Sequence, residues 1–197
     1  MDLAAEELAD GHVTLVPFDA MRDGADLRAM AEALGEKIAT WPHYAPPADW
    51  IGWWLGDIER RTGEGALIPF RVQHPDGRFA GITTYLSPDK HSKNVEIGMT
   101  MYAADAQGTA VNPAAKRLML GNAFDAGAVR VSFNVDHRNL RSQAAVKKLG
   151  AVQEGVLRDN RIVATGYLRS TVVFSILARE WPDVKARLDA RLETFAA

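Results

Sequence analysis

Two stretches of this chain share one local plan: Ala106–Asn122 reads AQGTAVNPAAKRLMLGN, and Asp136–Gly150 reads DHRNLRSQAAVKKLG. Each combines a strand end, a polar turn and an amphipathic helix. In the first turn, Gly108 allows close backbone approach, Asn112 is a good N-cap residue and Pro113 suits the first helical position. Free N–H groups and the helix dipole would favour an anion there, so the turn indicates a phosphate-bearing cofactor. A capped helix start that holds only water is the alternative interpretation.

Composition limits the class of protein. The 197 residues, 47% hydrophobic, suffice for one sizeable core, and we predict one domain over 1–197, with residues 1–10 flexible and 181–197 a terminal helix. The net charge of -2 gives no basic field for nucleic acid. Without cysteine, disulfides, a Cys nucleophile and thiolate metal sites are excluded, and the five histidines show no metal-ligand spacing. Neither a membrane span nor a signal peptide is evident, so we expect a cytoplasmic protein without membrane partners.

The hydrophobic periodicity predicts interleaved strands and helices. Strands are expected at 12–17, 68–73, 79–86, 94–102, 130–135, 152–157 and 167–177. Helices are expected at 20–34, 48–61, 113–125, 140–149 and from 181 onward. Trp50, Trp53 and Trp54 have helical spacing, which is more typical of core residues than of ligand contacts. The order β-α-α-β-β-β-α-β-α-β-β with a terminal helix predicts an α/β or α+β fold with a mixed sheet.

Four segments resemble the GNAT superfamily of acetyl-CoA-dependent N-acetyltransferases, and within it the branch of ribosomal-protein N-terminal acetyltransferases. They are VEIGMTMY at Val95–Tyr102, QGTAVNPAAKRLML at Gln107–Leu120, DHRNLRSQAAVKKLGAVQEGVLR at Asp136–Arg158, and TVVFSILAREWPDVK at Thr171–Lys185. The resemblance implies a mixed, mostly antiparallel twisted sheet flanked by helices, with a splayed central parallel strand pair.

The chain departs from the family in its pyrophosphate loop. The family loop runs Gln/Arg-x-x-Gly-x-Gly/Ala, and Gln107, Ala110 and Asn112 stand at the matching positions. Alanine is tolerated in place of the glycine if Ala110 keeps a negative φ. Asn112 either caps the helix or crowds a phosphate.

The resemblance implies that acetyl-CoA is the cofactor. N–H groups from Thr109 to Asn112 would hold its pyrophosphate, and its pantetheine arm would lie along Glu96–Met101, where the two parallel strands splay. Asn139 would bond to that arm, and Ser142 would give a proton to the CoA sulfur, although both residue types also favour plain helix capping. The implied cofactor-binding set is Ile97, Gly98, Met99, Gln107, Gly108, Thr109, Ala110, Val111, Asn112, Asn139 and Ser142.

The implied reaction is direct attack of an amine on the thioester. Glu96 is the candidate base, because burial in an otherwise apolar strand would raise its pKa. Alternatively, Glu96 faces solvent or pairs with a basic residue, and water removes the proton. Some relatives have an acidic base near the position of Arg161. Because this chain has an arginine there, Glu96 or a water molecule remains as the candidate base. A strand N–H within Ile97–Met99 would stabilise the oxyanion.

The acceptor would be a protein N-terminus or a small-molecule amine. Trp41 and Tyr44, in a proline-rich loop, are candidates to bind it together with Glu96, and His43 is a second choice of base. Acidic residues on the expected acceptor side would permit a basic acceptor; they are Asp49, Asp57 and Glu59.

Other interpretations stay open at this level. Arg138 and Arg141 could meet the adenosine 3′-phosphate or form a solvated face. A CoA-binding module without turnover would fit the altered loop, whereas the charge balance disfavours a nucleic-acid-binding domain. The protein could be a monomer, or a homodimer that uses its apolar terminal helix.

Overall fold

The computed structural model describes residues 1–35, 49–163 and 165–196. In these ranges the chain forms eight strands and five helices. The strands are β1 (Leu8–Ala9), β2 (Thr14–Pro17), β3 (Leu67–Gln73), β4 (Phe79–Asp89), β5 (Asn94–Tyr102), β6 (Arg130–Asp136), β7 (Val152–Ile162) and β8 (Leu168–Leu177). The helices are α1 (Ala20–Leu34), α2 (Trp50–Gly63), α3 (Val111–Asp125), α4 (Leu140–Lys148) and α5 (Trp181–Ala196).

All eight strands belong to one sheet with the order β1-β2-β3-β4-β5-β6-β8-β7. Every neighbouring pair is antiparallel except β5 and β6, which run parallel. A parallel pair needs a crossover connection, and α3 supplies it between the two strands. The mixed, mostly antiparallel sheet with one central parallel pair confirms the fold class expected from the sequence.

Helices cover both faces of the sheet. Residues of α1 and α2, such as Leu27 and Ile58, are buried together with Leu67 of β3 and Ile82 of β4 on one face. The larger cluster on the other face joins α3, α4 and α5 to inward-facing residues of the central strands. None of the helices in the described ranges is both long enough and apolar enough to span a membrane.

The terminal helix packs on its own domain. Val184, Leu188 and Leu192 of α5 are at most 5% exposed, and the ring centroids of Trp181 and Phe124 of α3 lie 5.5 Å apart. This apolar face is therefore already covered within the chain, which removes the sequence-based reason for a dimer through α5.

Local sequence patterns predicted the bounds of most helices and strands to within a few residues of those observed. Asp19 caps α1 as expected, with its carboxylate accepting from the N–H of Arg22 at 2.8 Å. The sequence missed the short β1, which pairs with β2. Before it, the Asp2 N–H donates to the carbonyl of Ala126 at 3.3 Å. The expected core position of Trp53 is wrong, because it is 47% exposed while Trp54 is 5% exposed.

A buried lysine joins α3 to the sheet. Lys116 is 5% exposed, and its Nζ donates to Thr83 Oγ1 of β4 at 2.6 Å and to Thr100 Oγ1 of β5 at 2.7 Å. The two hydroxyls are also hydrogen-bonded to each other at 2.9 Å. Burial lowers the pKa of the Lys116 amine from 10.5 to about 7, because the charged form is poorly solvated there.

We expect Lys116 to make stability depend on pH. Between about pH 7 and 10.5 the unfolded lysine keeps a proton that the folded one has lost, so the free energy of unfolding rises with pH by up to about 1.4 kcal/mol per unit. The penalty is fully present below pH 7. The Lys116→Met variant lacks this titration, and its threonine partners can still bond to each other. Urea unfolding across this pH range should therefore show a shallower rise for the variant.

The matched control is Lys148→Met, since Lys148 is exposed on α4. Its stability profile should run parallel to that of the wild-type protein. Equal slopes for the wild-type protein and Lys116→Met would contradict a neutral buried amine at this position.

Candidate active site

The parallel ladder between β5 and β6 is short. Pairing runs from Asn94 opposite Arg130 to Glu96 opposite Ser132 and then stops, although both strands continue. Beyond Glu96 the facing edges of the two strands therefore carry main-chain groups that do not pair with each other. The expected splay of the central pair is confirmed.

A β-bulge lies in β5 where the strands separate. Thr84 of β4 pairs with Gly98 and Ile82 pairs with Met101, so β5 has one extra residue in this interval. Met99 within it has a φ of +46°, an uncommon conformation for a residue with a side chain. Thr100 Oγ1 donates to the carbonyl of Gly98 at 3.3 Å, so the Lys116 cluster is hydrogen-bonded to the bulge.

Gly98 keeps the space beside Glu96 open. A Cβ atom at this position would lie 3.3 Å from Glu96 Oε1 and 3.0 Å from Leu86 Cδ1. A larger residue would therefore crowd the carboxylate of Glu96.

The loop before α3 begins at Gln107, whose Nε2 donates to the carbonyl of Tyr102 at 2.9 Å. Gly108 has a φ of +82°, and a Cβ added there would meet nothing within 4 Å, so its backbone conformation is the reason for glycine. Within the described part of the chain, no acceptor is found for several loop N–H groups. They belong to Gly108, Thr109, Ala110 and Asn112.

The expected cap of α3 is wrong. The helix begins at Val111, two residues before Pro113, and Ala110 is the N-cap residue with a φ of -63°. Thr109 Oγ1 takes the capping role, since it accepts from the Val111 N–H at 3.2 Å and donates to the carbonyl of Ala106 at 2.8 Å. Asn112 therefore lies inside the first turn. The negative φ of Ala110 agrees with alanine being tolerated at the family's glycine position.

The start of α4 lies against this loop. Arg141 donates to Gln107 Oε1 at 2.8 Å, which brings the two segments singled out from the sequence together. Asn139 caps α4, with Oδ1 accepting from the Ser142 N–H at 3.0 Å. Arg138 is engaged elsewhere: it pairs with Asp136 at 3.2 Å, and its guanidinium carbon lies 3.4 Å from the centroid of the Tyr167 ring.

Glu96 is half-buried and bonded to a neutral amide. Asn134 of β6 donates from Nδ2 to Glu96 Oε2 at 2.7 Å. Burial raises the pKa of Glu96, and this outweighs the lowering by the Asn134 hydrogen bond and by the charges of Arg161 and Arg61. In the described ranges no cation lies within 4 Å of the carboxylate. Of the sequence-based alternatives, burial therefore describes Glu96 better than an ion pair does.

The expected acceptor residues have different outcomes. Trp41, His43 and Tyr44 lie outside the described residues. Asp49 caps α2 through the Gly52 N–H and pairs with Arg28 at 3.0 Å.

Asp57 is also already paired, with Arg60 at 2.7 Å and with Arg61 at 3.5 Å. Asp49 and Asp57 therefore do not form the open acidic surface that a basic acceptor would need.

Sequence reasoning missed two features of this region. Lys116 was read as part of an amphipathic helix, although it has helical spacing with Met119, Leu120 and Ala123, which are all buried. That spacing was the available signal for a buried amine. The approach of Arg61 to Glu96 had no such signal, because helix α2 and strand β5 are far apart in sequence.

Comparisons with known proteins agree with this geometry. Residues 12–152 match the family model of the GNAT acetyltransferase domain. A structure from T. thermophilus, assigned as an acetyltransferase, is 36% identical with a TM-score of 0.83, covering 98% of this chain and 100% of that one. A GCN5-related N-acetyltransferase from Brucella melitensis is 26% identical with a TM-score of 0.86, covering 96% and 86%.

Mycobacterium smegmatis RimJ, solved in complex with CoA-disulfide, is 24% identical with a TM-score of 0.75, covering 94% of this chain and 92% of that one. At this identity the likeness concerns the fold. A search of curated proteins finds no match. The family model covers well over half of the chain, and on this evidence the chain belongs to the GNAT acetyltransferase family.

Proposed function

We propose that the protein is an acetyl-CoA-dependent N-acetyltransferase that transfers the acetyl group directly to a primary amine. The observation that carries this proposal is the placement of Glu96 where the β5–β6 ladder ends. A half-buried carboxylate with a raised pKa stands beside unpaired strand edges, so a proton acceptor and main-chain donors share one opening. Removing a proton from an attacking amine requires such a base.

The residues at the start of α3 fit the phosphates of acetyl-CoA. Free N–H groups at Gly108, Thr109, Ala110 and Asn112 lie at a helix N-terminus, where anions are favoured. In RimJ of M. smegmatis, a protein of the same fold, CoA-disulfide is bound. When bound, acetyl-CoA would supply an activated acetyl thioester.

The opening between β5 and β6 would receive the amide-bearing arm. Edge N–H and C=O groups without a neighbouring strand need partners, and the amides of pantetheine offer them. A strand N–H within Ile97–Met99 that faces the opening would donate to the negative charge that develops on the thioester oxygen. The bulge at Met99, hydrogen-bonded through Thr100, would hold this donor in place before the substrate arrives.

Helix α4 would complete the site. Arg141 holds its first turn against the cofactor loop, and the Asn139 cap fixes the position of Ser142. We assign to the Ser142 hydroxyl the transfer of a proton to the departing sulfur, and to Asn139 a contact with the arm in addition to its capping bond.

Glu96→Gln tests the role of the base. The amide cannot take a proton, and we expect kcat/KM for the amine to fall by about 10²–10⁴-fold. In the wild-type protein kcat/KM should rise with pH through the pKa of Glu96, which burial places above the ordinary glutamate range. That limb should be missing in the variant. Thiol release from acetyl-CoA, followed across pH with a panel of primary amines, measures both.

Glu193→Gln is the matched control, because Glu193 is an exposed glutamate of α5, a helix that carries no residue of the proposed site. It should leave the rate and the pH profile unchanged. A Glu96→Gln protein with nearly wild-type turnover would mean that water, and not Glu96, removes the proton.

Gly108→Ala tests the cofactor loop against a control with equal backbone strain. Gly108 and Gly65 have φ values of +82° and +72°, and both have open space around a Cβ. Alanine at either site should cost about 1 kcal/mol of stability. Acetyl-CoA at about 100 times its Kd should stabilise the wild-type protein and Gly65→Ala by about 2.7 kcal/mol.

Gly108→Ala should lose much of this stabilisation, because its loop N–H groups are displaced. Thermal melting with and without acetyl-CoA, and with ATP as an unrelated phosphate ligand, gives the comparison. If acetyl-CoA raised the melting temperature of both variants equally, the phosphates would not bind at the loop before α3.

A further inference from the structure

Two arginines approach Glu96 from separate elements, and neither forms an ion pair with it. Arg61 of α2 and Arg161 of β7 both act electrostatically on the Glu96 carboxylate. In the described ranges, the nearest partner of that carboxylate is the neutral Asn134 amide. The positive charges are therefore close to the base without neutralising it by contact.

Arg61 is held beside the bulge. Its guanidinium lies 4.0 Å from Met99 Sδ and 3.5 Å from Asp57, and its side chain is 27% exposed. Asp57 makes a shorter contact with Arg60, at 2.7 Å. Arg61 thus lies along one side of the opening and retains accessible surface.

Arg161 belongs to β7, which lies beyond β6 and β8 in the sheet order. In the β7–β8 register it stands directly across from Arg169, which is 5% exposed and donates to the carbonyl of Asn134 at 3.3 Å. Asn134 in turn bonds to Glu96. Strands β7, β8, β6 and β5 therefore carry a continuous row of polar residues from Arg161 to the base.

No acid in the described ranges pairs with Arg161. The nearest carboxylate along β7 is that of Asp159, which accepts from the Ser170 hydroxyl at 3.1 Å. All of β7 is exposed, so the Arg161 guanidinium is accessible to a ligand. Asp49 pairs with Arg28, and Asp57 pairs with Arg60 and with Arg61. Arg161 is therefore a cation near Glu96 without an acidic partner in the described ranges, which favours a negative group on an incoming molecule and disfavours a basic one.

We propose that the acceptor is a primary amine that also carries a carboxylate, which Arg161 binds with support from Arg61 while the amine faces Glu96. This inference rests on the proposed function. Guanidinium groups bind carboxylates through two parallel hydrogen bonds and so fix orientation as well as charge. A bound carboxylate would also offset the lowering of the Glu96 pKa by the two arginines, so the base would become stronger when the correct acceptor is in place.

Matched acceptors and matched variants test this. Free amino acids are compared with their α-amides, and dipeptides ending in a free carboxylate with the same dipeptides amidated. The first set tests whether the acceptor is a free amino acid. The second set tests whether it is a short peptide whose C-terminus supplies the carboxylate. Rates of acetylation are measured for the wild-type protein, Arg161→Gln and Arg158→Gln, with thermal melting as the check on folding.

We expect the wild-type protein to favour the carboxylate form of a pair by at least about tenfold in kcat/KM, the worth of one charge-assisted contact. Arg161→Gln should remove most of that preference by raising KM for the acceptor, while KM for acetyl-CoA stays unchanged. Arg158→Gln removes an exposed arginine from the same strand and should behave like the wild-type protein.

Three outcomes would overturn the inference. Amides could be acetylated as well as the acids, the preference could survive in Arg161→Gln, or Arg158→Gln could lose it equally. In each of these cases amine acetylation itself would still stand. If no amine of any charge is acetylated although acetyl-CoA binds, then the proposed function fails and this inference fails with it.

Discussion

The candidate active site depends on the point at which the hydrogen-bonded ladder between β5 and β6 ends. β5 and β6 pair only as far as Glu96 and Ser132, although each strand remains paired on its outer side with β4 or β8. Unpaired main-chain groups inside a protein need partners. The gap therefore offers the same N–H donors and C=O acceptors that an additional strand would pair with. The bulge at Met99 lies where β5 is no longer paired with β6, and the hydrogen bonds from Lys116 through Thr100 to Gly98 connect it to α3.

The charge on Glu96 is set by opposing effects. Burial favours the neutral acid, whereas the Asn134 amide and the two nearby arginines favour the carboxylate, and burial prevails. A direct ion pair with arginine would have shifted the balance the other way and removed the basicity of the group. A neutral hydrogen-bond donor orients the carboxylate at a smaller loss of proton affinity, which is the arrangement that a general base requires.

The sequence predicted what local patterns determine. The Asp19 cap and the alternation of β5 predicted the start of α1 and the full extent of 94–102. The order of elements predicted a mixed sheet, and the family resemblance implied its single splayed parallel pair. The start of α3 was misplaced because the Thr109 hydroxyl competes with Asn112 for the cap, and sequence preference does not decide between two good capping residues. The approach of Arg61 to Glu96 arises only from tertiary packing, so no local pattern could predict it, whereas the family resemblance already associated the position of Arg161 with the site.

The proposed cofactor site and the proposed acceptor site use different parts of the chain, namely backbone groups and side chains. The proposed cofactor site consists largely of backbone: loop N–H groups, a positive-φ glycine and strand edges. Such features persist through wide changes of sequence, which is consistent with a fold shared at 24–36% identity. The proposed acceptor site consists of side chains on α2 and β7, elements that contribute nothing to the loop before α3. Under this proposal, a substitution at Arg61 or Arg161 would change which amine is admitted and would also raise the pKa of Glu96, while the backbone features that bind the cofactor stay the same.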